Sequence, residues 1–109
     1  MSYSKHHAKK TKLDGYTFDS LSESYRYAKL KLAENSGEIG GLRVHPRFPI
    51  VVNSQRICYY IADFSYVDKD GSDVVEDTKS EWTRTLPVYR LKKKLMLAVY
   101  GIDIVEVIR

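Results

Sequence analysis

The 109-residue sequence has few of the features that mark secreted and membrane proteins. Its single cysteine, Cys58, can form neither an internal disulfide nor a zinc cluster and is typical of a reducing compartment. No apolar run approaches the roughly 18 residues needed to cross a bilayer. The basic N-terminus also lacks the apolar stretch of a signal peptide. We therefore expect a cytoplasmic protein without a membrane partner.

The composition predicts one folded domain. Hydrophobic residues make up 43% of the chain and charged residues 29%, and there is no low-complexity segment, so wholesale disorder is disfavoured. The first dozen residues have no apolar periodicity. We expect residues 1–14 to form a flexible basic arm and residues 15–109 to form a single domain.

The net charge of +4 comes from the N-terminus. Four lysines are the only charged residues among the first twelve, and the rest of the chain carries 14 basic and 14 acidic side chains. Residues 63–79 have the opposite bias, with six acids against two lysines. A basic arm and an acidic cluster together indicate a polyanion held near a cation site, and the alternative is a solvated arm beside an ordinary acidic hairpin. The four lysines are Lys5, Lys9, Lys10 and Lys12.

Two helices are predicted from the apolar spacing. Ser20 is a suitable N-cap for the first helix, and Pro87 is a suitable first residue for the second helix, which Gly101 ends. Apolar residues at three- and four-residue spacing define the face that each helix is expected to bury. These residues are Leu21, Tyr25, Ala28 and Leu32 in the first helix and Val88, Leu91, Leu95 and Ala98 in the second.

Extended segments are predicted over residues 43–52, 57–67, 72–80 and 102–108, which are rich in β-branched and aromatic residues. Because a helix separates the last two strands, these two can pair in parallel. We therefore predict an α/β fold with a mixed sheet of about four strands, in the order αβββαβ, and flanking helices.

The turn of the acidic hairpin sets which side chains face one another. Lys69-Asp70-Gly71 fits a common three-residue loop with its glycine in the left-handed conformation. Counting along the two strands from this loop places Asp63 directly opposite Asp77. Lys79 then lies on the same face as Asp77, because side chains alternate along a strand.

Two facing carboxylates repel each other, and aspartate is depleted from strands. A divalent cation such as Mg²⁺ between Asp63 and Asp77 would reverse the sign of that interaction. Such an ion can activate a water molecule, and the ammonium group of Lys79 would add positive charge near a scissile phosphate. A two- or four-residue turn would instead place Glu76 on the face of Asp63 and turn Lys79 away, and this alternative stays open.

These residues resemble the PD-(D/E)xK nuclease signature, with Ala62-Asp63 in place of Pro-Asp and Asp77-Thr78-Lys79 after the hairpin. Residues 18–23 resemble the first-helix element of that superfamily, which supplies a third acid. From about Gly15 onward the sequence is similar to a family of small phage proteins. The same core occurs in phage endonuclease I-type Holliday junction resolvases and in TnsA-type nucleases.

The resemblance implies a restriction-endonuclease-like core and a metal-dependent DNA endonuclease of phage DNA processing in the host cytoplasm. It implies that Glu23, Asp63 and Asp77 bind Mg²⁺ or Mn²⁺ and that Lys79 is the catalytic lysine. Since the chain has no room for a separate recognition domain, we expect selectivity for DNA shape, as in resolution of branched DNA or a Holliday junction. A homodimer is expected because cutting two strands needs two sites, and a phage or host recombination protein is a further expected partner.

The site residues also have structural interpretations. Ser20 and Glu23 have the spacing of a capping box. Asp63 and Asp77 can be ordinary exposed strand residues, and Lys79 can be a counter-ion that leaves the pair inert. The corresponding functional alternative is a non-catalytic or partner-dependent DNA-binding subunit on the same fold.

Basic residues indicate where a DNA backbone would lie. Lysines near phosphates release counterions without reading the base sequence, although charge runs are often solvated faces. Trp82, shortly after the motif, is the aromatic residue best placed to contact the substrate. The predicted DNA-contacting residues are Lys5, Lys9, Lys10, Lys12, Arg84, Arg90, Lys93 and Lys94.

Overall fold

Two helices and eight strands follow one another along residues 10–109, the part of the chain that the computed structural model describes. Helix α1 spans Leu21–Asn35 and helix α2 spans Pro87–Tyr100, and a short 3-10 turn, Thr83–Thr85, precedes α2. The strands are β1 (Thr11–Leu13), β2 (Tyr16–Phe18), β3 (Gly40–Val44), β4 (Arg47–Val52), β5 (Gln55–Ile61), β6 (Phe64–Val67), β7 (Asp73–Lys79) and β8 (Val105–Ile108).

A four-stranded mixed sheet in the order β3-β6-β7-β8 holds the acidic hairpin. β6 pairs antiparallel with β3 and β7, and β8 pairs parallel to β7, as expected where α2 connects the two strands. The pairs β1–β2 and β4–β5 form separate two-stranded ribbons. The predicted α/β class and mixed sheet are confirmed. Along the chain, the two helices and the four strands of this sheet occur in the order α1, β3, β6, β7, α2, β8.

The predicted extended segments 43–52 and 57–67 are wrong as single strands, because each is divided between a ribbon and the sheet. The first contains the end of β3 and all of β4, and the second contains most of β5 and all of β6. One division falls at His45, whose φ of 52° bends the backbone. The His45 amide donates to the Asp63 carbonyl oxygen at 2.8 Å, so the two bends lie side by side.

The predicted buried face of α1 is wrong, since all four residues of its apolar stripe are exposed. α1 packs instead through Tyr27 and Leu30, which form one core cluster with Phe18 and Phe64. Polar groups share this buried face, among them the carboxylate of Glu23. Partners elsewhere in the fold, and not apolar spacing, therefore select the side of the helix that turns inward. The exposed residues are Leu21, Tyr25, Ala28 and Leu32.

The predicted buried stripe of α2 is wrong except at Leu95, which is half-buried and packs on the core. The helix buries Tyr89 and Met96, which join a cluster that includes Ile50 and Val75. The rest of the predicted stripe lies on the solvent side. Its exposed members are Val88, Leu91 and Ala98.

The start of the described chain includes a strand within the segment predicted as a flexible arm. Thr11–Leu13 pairs with Tyr16–Phe18, so this part of the arm is β-structure. The prediction for residues 1–9, with Lys5 and Lys9, falls outside the described residues. Neither helix in residues 10–109 has both the length and the apolar character to cross a membrane.

Candidate active site

The hairpin that joins β6 to β7 has the predicted register. Val67 pairs with Asp73 and Phe64 with Glu76, as a three-residue loop requires. Gly71 takes the left-handed conformation with φ 82°. Asp63 directly precedes β6, and the same count places it opposite Asp77.

Hydrogen bonds of Asp63 and Asp77 link the start of β6 to the end of β7. The Asp63 backbone N–H donates to Asp77 Oδ1 at 2.9 Å, and the Thr78 backbone N–H donates to Asp63 Oδ2 at 2.7 Å. Each carboxylate therefore accepts a hydrogen bond from the opposing strand, which offsets their mutual repulsion. Both side chains are within the fold, so the interpretation of the pair as ordinary exposed strand residues is wrong.

Asp77 lies in a buried polar pocket. Its side chain accepts a hydrogen bond from the Tyr60 hydroxyl, and Lys79 Nζ lies 3.7 Å from Asp77 Oδ2. Burial raises the pKa of Asp77 to about 6, although Lys79 and the Asp63 amide act in the opposite direction. A buried carboxylate with a pKa this high is stabilised by any positive charge brought close to it.

Lys79 is positioned by an aromatic ring as well as by Asp77. Its Nζ lies 4.4 Å from the centroid of the Tyr89 ring, within cation–π range. The Tyr89 hydroxyl donates to Glu106 Oε2 at 2.7 Å, and Arg84 Nε donates to Glu106 Oε1 at 3.0 Å. Burial, followed by the bond to Glu106, raises the pKa of Tyr89. The ammonium group therefore has a fixed position at the end of β7.

Glu23 reaches the site from the first turn of α1. Ser20 Oγ accepts the Glu23 backbone N–H at 3.1 Å, which confirms Ser20 as the N-cap. The Glu23 carboxylate does not complete a capping box, since its Oε1 lies 3.0 Å from His45 Nε2. Burial, together with the neighbouring carboxylate of Asp63, raises the pKa of Glu23 to about 7 against the opposing effect of the His45 hydrogen bond.

His45 and Tyr60 are the site residues that sequence reasoning missed. His45 connects two site acids, because its ring contacts Glu23 and its backbone amide binds the Asp63 carbonyl. A left-handed φ is costly for a residue other than glycine and is often found at functional sites. The only available signal was that His45 is the one histidine outside the His6-His7 pair.

Glu76, the alternative ligand, is already paired with Arg26. It is 1% exposed and forms a bidentate ion pair with Arg26, with Nε–Oε1 and Nη2–Oε2 distances of 2.6 and 2.9 Å. The Tyr66 hydroxyl also donates to Glu76 Oε2 at 2.6 Å. Since Asp77 and not Glu76 faces Asp63, the alternative turn is excluded.

The donor set can be tested against the divalent ion that the sequence implies. Glu23, Asp63 and Asp77 supply hard carboxylate oxygens, the ligands that Mg²⁺ and Mn²⁺ prefer. The carboxylate of Glu23 interacts with that of Asp63, and the Asp63 backbone amide donates to the carboxylate of Asp77, so the three acids belong to neighbouring parts of the fold. Across residues 10–109, however, no group of three or more His, Cys, Asp or Glu side chains is already assembled as a metal site. The chemistry of the donors fits the ion, and Asp77 has the strongest competing contacts.

Four of the predicted DNA-contacting residues follow Lys79 in the sequence. All four line one open cleft of about 510 Å³, which is formed by the 3-10 turn, α2 and the strand β8. Two of them are paired with acids, Arg84 with Glu106 and Lys93 with Asp103 at 3.0 Å each. The other two are exposed, and their side chains have no ion pair or hydrogen bond within residues 10–109. These two are Arg90 and Lys94.

Of the basic arm, the structure describes Lys10 and Lys12. Lys10 is exposed just before β1, and Lys12 is exposed within β1. Neither lines the cleft next to α2. These two lysines of the arm therefore lie outside the cleft.

The raised pKa values of Glu23 and Asp77 predict that the metal-free protein loses stability as pH rises. Both folded-state pKa values, about 7 and about 6, exceed the usual 4.5 and 3.8, so the folded chain retains protons that the unfolded chain has released. The stabilisation is complete below about pH 4 and is lost as pH rises through about 6 for Asp77 and about 7 for Glu23, and it amounts to about 3 kcal/mol for Asp77. Urea unfolding in a chelator across this range measures it. The Glu23→Gln/Asp77→Asn variant should flatten the profile, and an unchanged profile would contradict the assignment.

Residues 3–105 match the family described as "Protein of unknown function (DUF1064)". No curated protein and no solved structure matches the chain.

Proposed function

This chain belongs to the DUF1064 family, and we propose that it is a metal-dependent DNA endonuclease with a restriction-endonuclease-like core, active on branched DNA in the cytoplasm of a phage host. The main support is the hairpin register, which brings Asp63, Asp77 and Lys79 together at the end of β7. The approach of the Glu23 carboxylate to Asp63 adds a third acid from a different element.

In the proposed mechanism Glu23, Asp63 and Asp77 would hold Mg²⁺ or Mn²⁺. When bound, such an ion polarises a phosphoryl oxygen and lowers the pKa of a bound water. The protein's own contribution is to hold its carboxylates in place through hydrogen bonds from His45 and from backbone amides.

Lys79 would stabilise the negative charge that builds on the phosphate while a water oxygen attacks phosphorus and the ester oxygen leaves. Asp77 and the Tyr89 ring hold its ammonium group, so little reorganisation is needed during the reaction. The same 3.7 Å contact with Asp77 is what a counter-ion would make, so activity measurements must decide between these two roles.

The decisive experiment is cleavage of labelled four-way junction, flap, nicked and linear DNA in Mg²⁺, in Mn²⁺ and in EDTA. Metal-dependent cutting of an interrupted DNA in preference to linear duplex supports the proposal. A parallel thermal melt should show a rise in Tm with millimolar Mg²⁺, because the ion relieves the buried acids. The absence of both DNA cleavage and a Tm shift would refute the proposal.

The proposed dimer would bring two such sites together on one substrate. The apolar stripe of α1 supports a protein interface, since Tyr25 and Leu32 are 64% and 71% exposed on one helix face. Sedimentation at working concentration tests this, and a monomer would contradict it. A phage or host recombination protein is the proposed alternative partner for the same stripe.

DNA affinity is predicted to depend unequally on the four basic residues of the cleft. Arg90→Ala and Lys94→Ala should each weaken binding and lower the salt slope by about one unit, because both side chains are free to pair with phosphates. Lys93→Ala should have a smaller effect, since Lys93 is already paired with Asp103. Anisotropy titrations at several salt concentrations measure the slopes. Equal effects from all three substitutions would contradict this assignment.

A DNA-binding subunit without activity of its own is the second candidate. It is favoured by the reciprocal hydrogen bonds of Asp63 and Asp77, which give both acids a structural role without any metal. This candidate predicts salt-sensitive DNA binding that EDTA leaves unchanged, with no cutting until a partner protein is added.

A further inference from the structure

Trp82, the only tryptophan of the chain, lies on the surface although its backbone is firmly held. The Trp82 carbonyl accepts from the Thr85 amide at 3.0 Å and from the Thr85 hydroxyl at 2.6 Å. Two more hydrogen bonds join the residues on either side of Trp82. The Ser80 amide donates to Thr83 Oγ1 at 2.8 Å, and the Thr83 amide donates to Ser80 Oγ at 3.0 Å. The turn is therefore ordered, and loose backbone does not explain the exposure of the indole.

Among the residues that the structure describes, none is a ring or hydrogen-bond partner of the Trp82 side chain. It is 70% exposed, and within residues 10–109 its ring makes no hydrogen bond, aromatic contact or cation–π contact. Tryptophan is highly buried on average, because its ring carries a large apolar surface. An ordered turn therefore presents to solvent an indole that has no partner among residues 10–109.

The location of Trp82 connects it with both parts of the candidate site. Lys79 is the last residue of β7, and Trp82 follows three residues later. The same turn continues to Arg84, which lines the basic cleft with Arg90 and Lys94. The turn that carries the indole is the chain segment that joins Lys79 to the cleft, and Glu81 and Arg84 on either side of Trp82 line that cleft although Trp82 itself does not.

An indole ring recognises the flat face of a nucleobase by stacking. In continuous duplex DNA both faces of each base are covered by neighbouring base pairs, whereas a junction, flap or nick exposes a face. We propose that Trp82 stacks on a base exposed where the helix is interrupted and so selects branched or nicked DNA over intact duplex. This inference rests on the proposed function and specifies the part of the DNA that is recognised.

The single tryptophan makes the test direct, because its fluorescence reports on this position alone. In EDTA, where no cutting is expected, the full chain is titrated with a four-way junction, a nicked duplex and an intact duplex of equal length. Stacking should quench the emission with the first two and not with the third. Trp82→Ala should weaken binding to the junction about 10- to 100-fold and leave intact duplex affinity unchanged. Trp82→Phe should retain most of the junction affinity.

Ile57→Ala is the matched control, since Ile57 is an exposed apolar residue on β5, outside the cleft and the α1 stripe, and should not affect DNA binding. If Trp82→Ala leaves junction affinity unchanged, or weakens both DNAs equally, the inference is overturned while the proposed function stands. If quenching follows protein concentration without DNA, Trp82 is a contact between copies and the inference is overturned. Absence of DNA binding by the unmodified chain at low salt would overturn the proposed function and the inference together.

Discussion

Replacement of Lys79 by alanine is expected to lower the rate of metal-dependent DNA cleavage by about 100- to 1,000-fold. The substitution removes the positive group that Asp77 and the Tyr89 ring hold at the end of β7. DNA affinity should change little, because exposed basic residues remain. These are Lys10, Lys12, Arg90 and Lys94. Single-turnover cleavage and anisotropy, measured on the same preparation, separate the two effects.

Lys69→Ala is the matched control for this prediction, since Lys69 is an exposed lysine of the same hairpin. Its cleavage rate should equal that of the unmodified chain. Lys79→Arg keeps the charge and should retain part of the activity, because the larger guanidinium does not fit the same position. Normal turnover by the alanine variant would show that Lys79 is only a counter-ion of Asp77.

Arg26→Ala is expected to lower the free energy of unfolding by about 3–5 kcal/mol. The substitution leaves the Glu76 carboxylate buried in the sheet with only the Tyr66 hydroxyl as partner. Since Glu76 directly precedes Asp77, the loss should also disturb the site. Urea unfolding followed by circular dichroism gives the change in stability.

Lys31→Ala on the same helix tests whether the loss of stability comes from the burial of Glu76. Lys31 pairs with Glu34 at 3.0 Å on the surface, and its loss should lower the free energy of unfolding far less than the loss of Arg26 does. The double variant Arg26→Met/Glu76→Leu should recover most of the stability, because it removes the buried carboxylate together with its half-buried partner. An Arg26→Ala variant as stable as the unmodified chain would show that the loss of Arg26 does not leave the Glu76 carboxylate without a partner.

Local turn and cap chemistry made parts of the fold predictable. The conformation of Gly71 fixed the hairpin register, and with it the opposition of Asp63 and Asp77. Ser20 begins α1 as its N-cap, and Gly101 ends α2 with φ 71°. Each of these depends on a few neighbouring residues, so a single sequence contains the necessary information.

The buried faces of the helices depend on residues far away in the sequence. Arg26 turns inward because Glu76, 50 positions away, is buried beneath α1. Glu23 turns inward because His45 and Asp63 lie there. Apolar spacing favours the opposite side of α1, and polar partners of this kind leave no periodic signal. The division of residues 57–67 escaped prediction for the same reason, since its cause is the contact with His45.

The reciprocal hydrogen bonds between the Asp63 and Asp77 strands also affect how relatives of this chain can diverge. Because each aspartate accepts a backbone amide, selection for a folded protein alone favours keeping both. A lineage that had abandoned its chemistry would therefore lose the aspartates late. Lys79 donates no hydrogen bond to the opposing strand, and its removal leaves that part of the fold intact. In the evolutionary history of such a family, substitution at Lys79 would be the earlier mark of an inactive member, and retention of the two aspartates would not be proof of an active one.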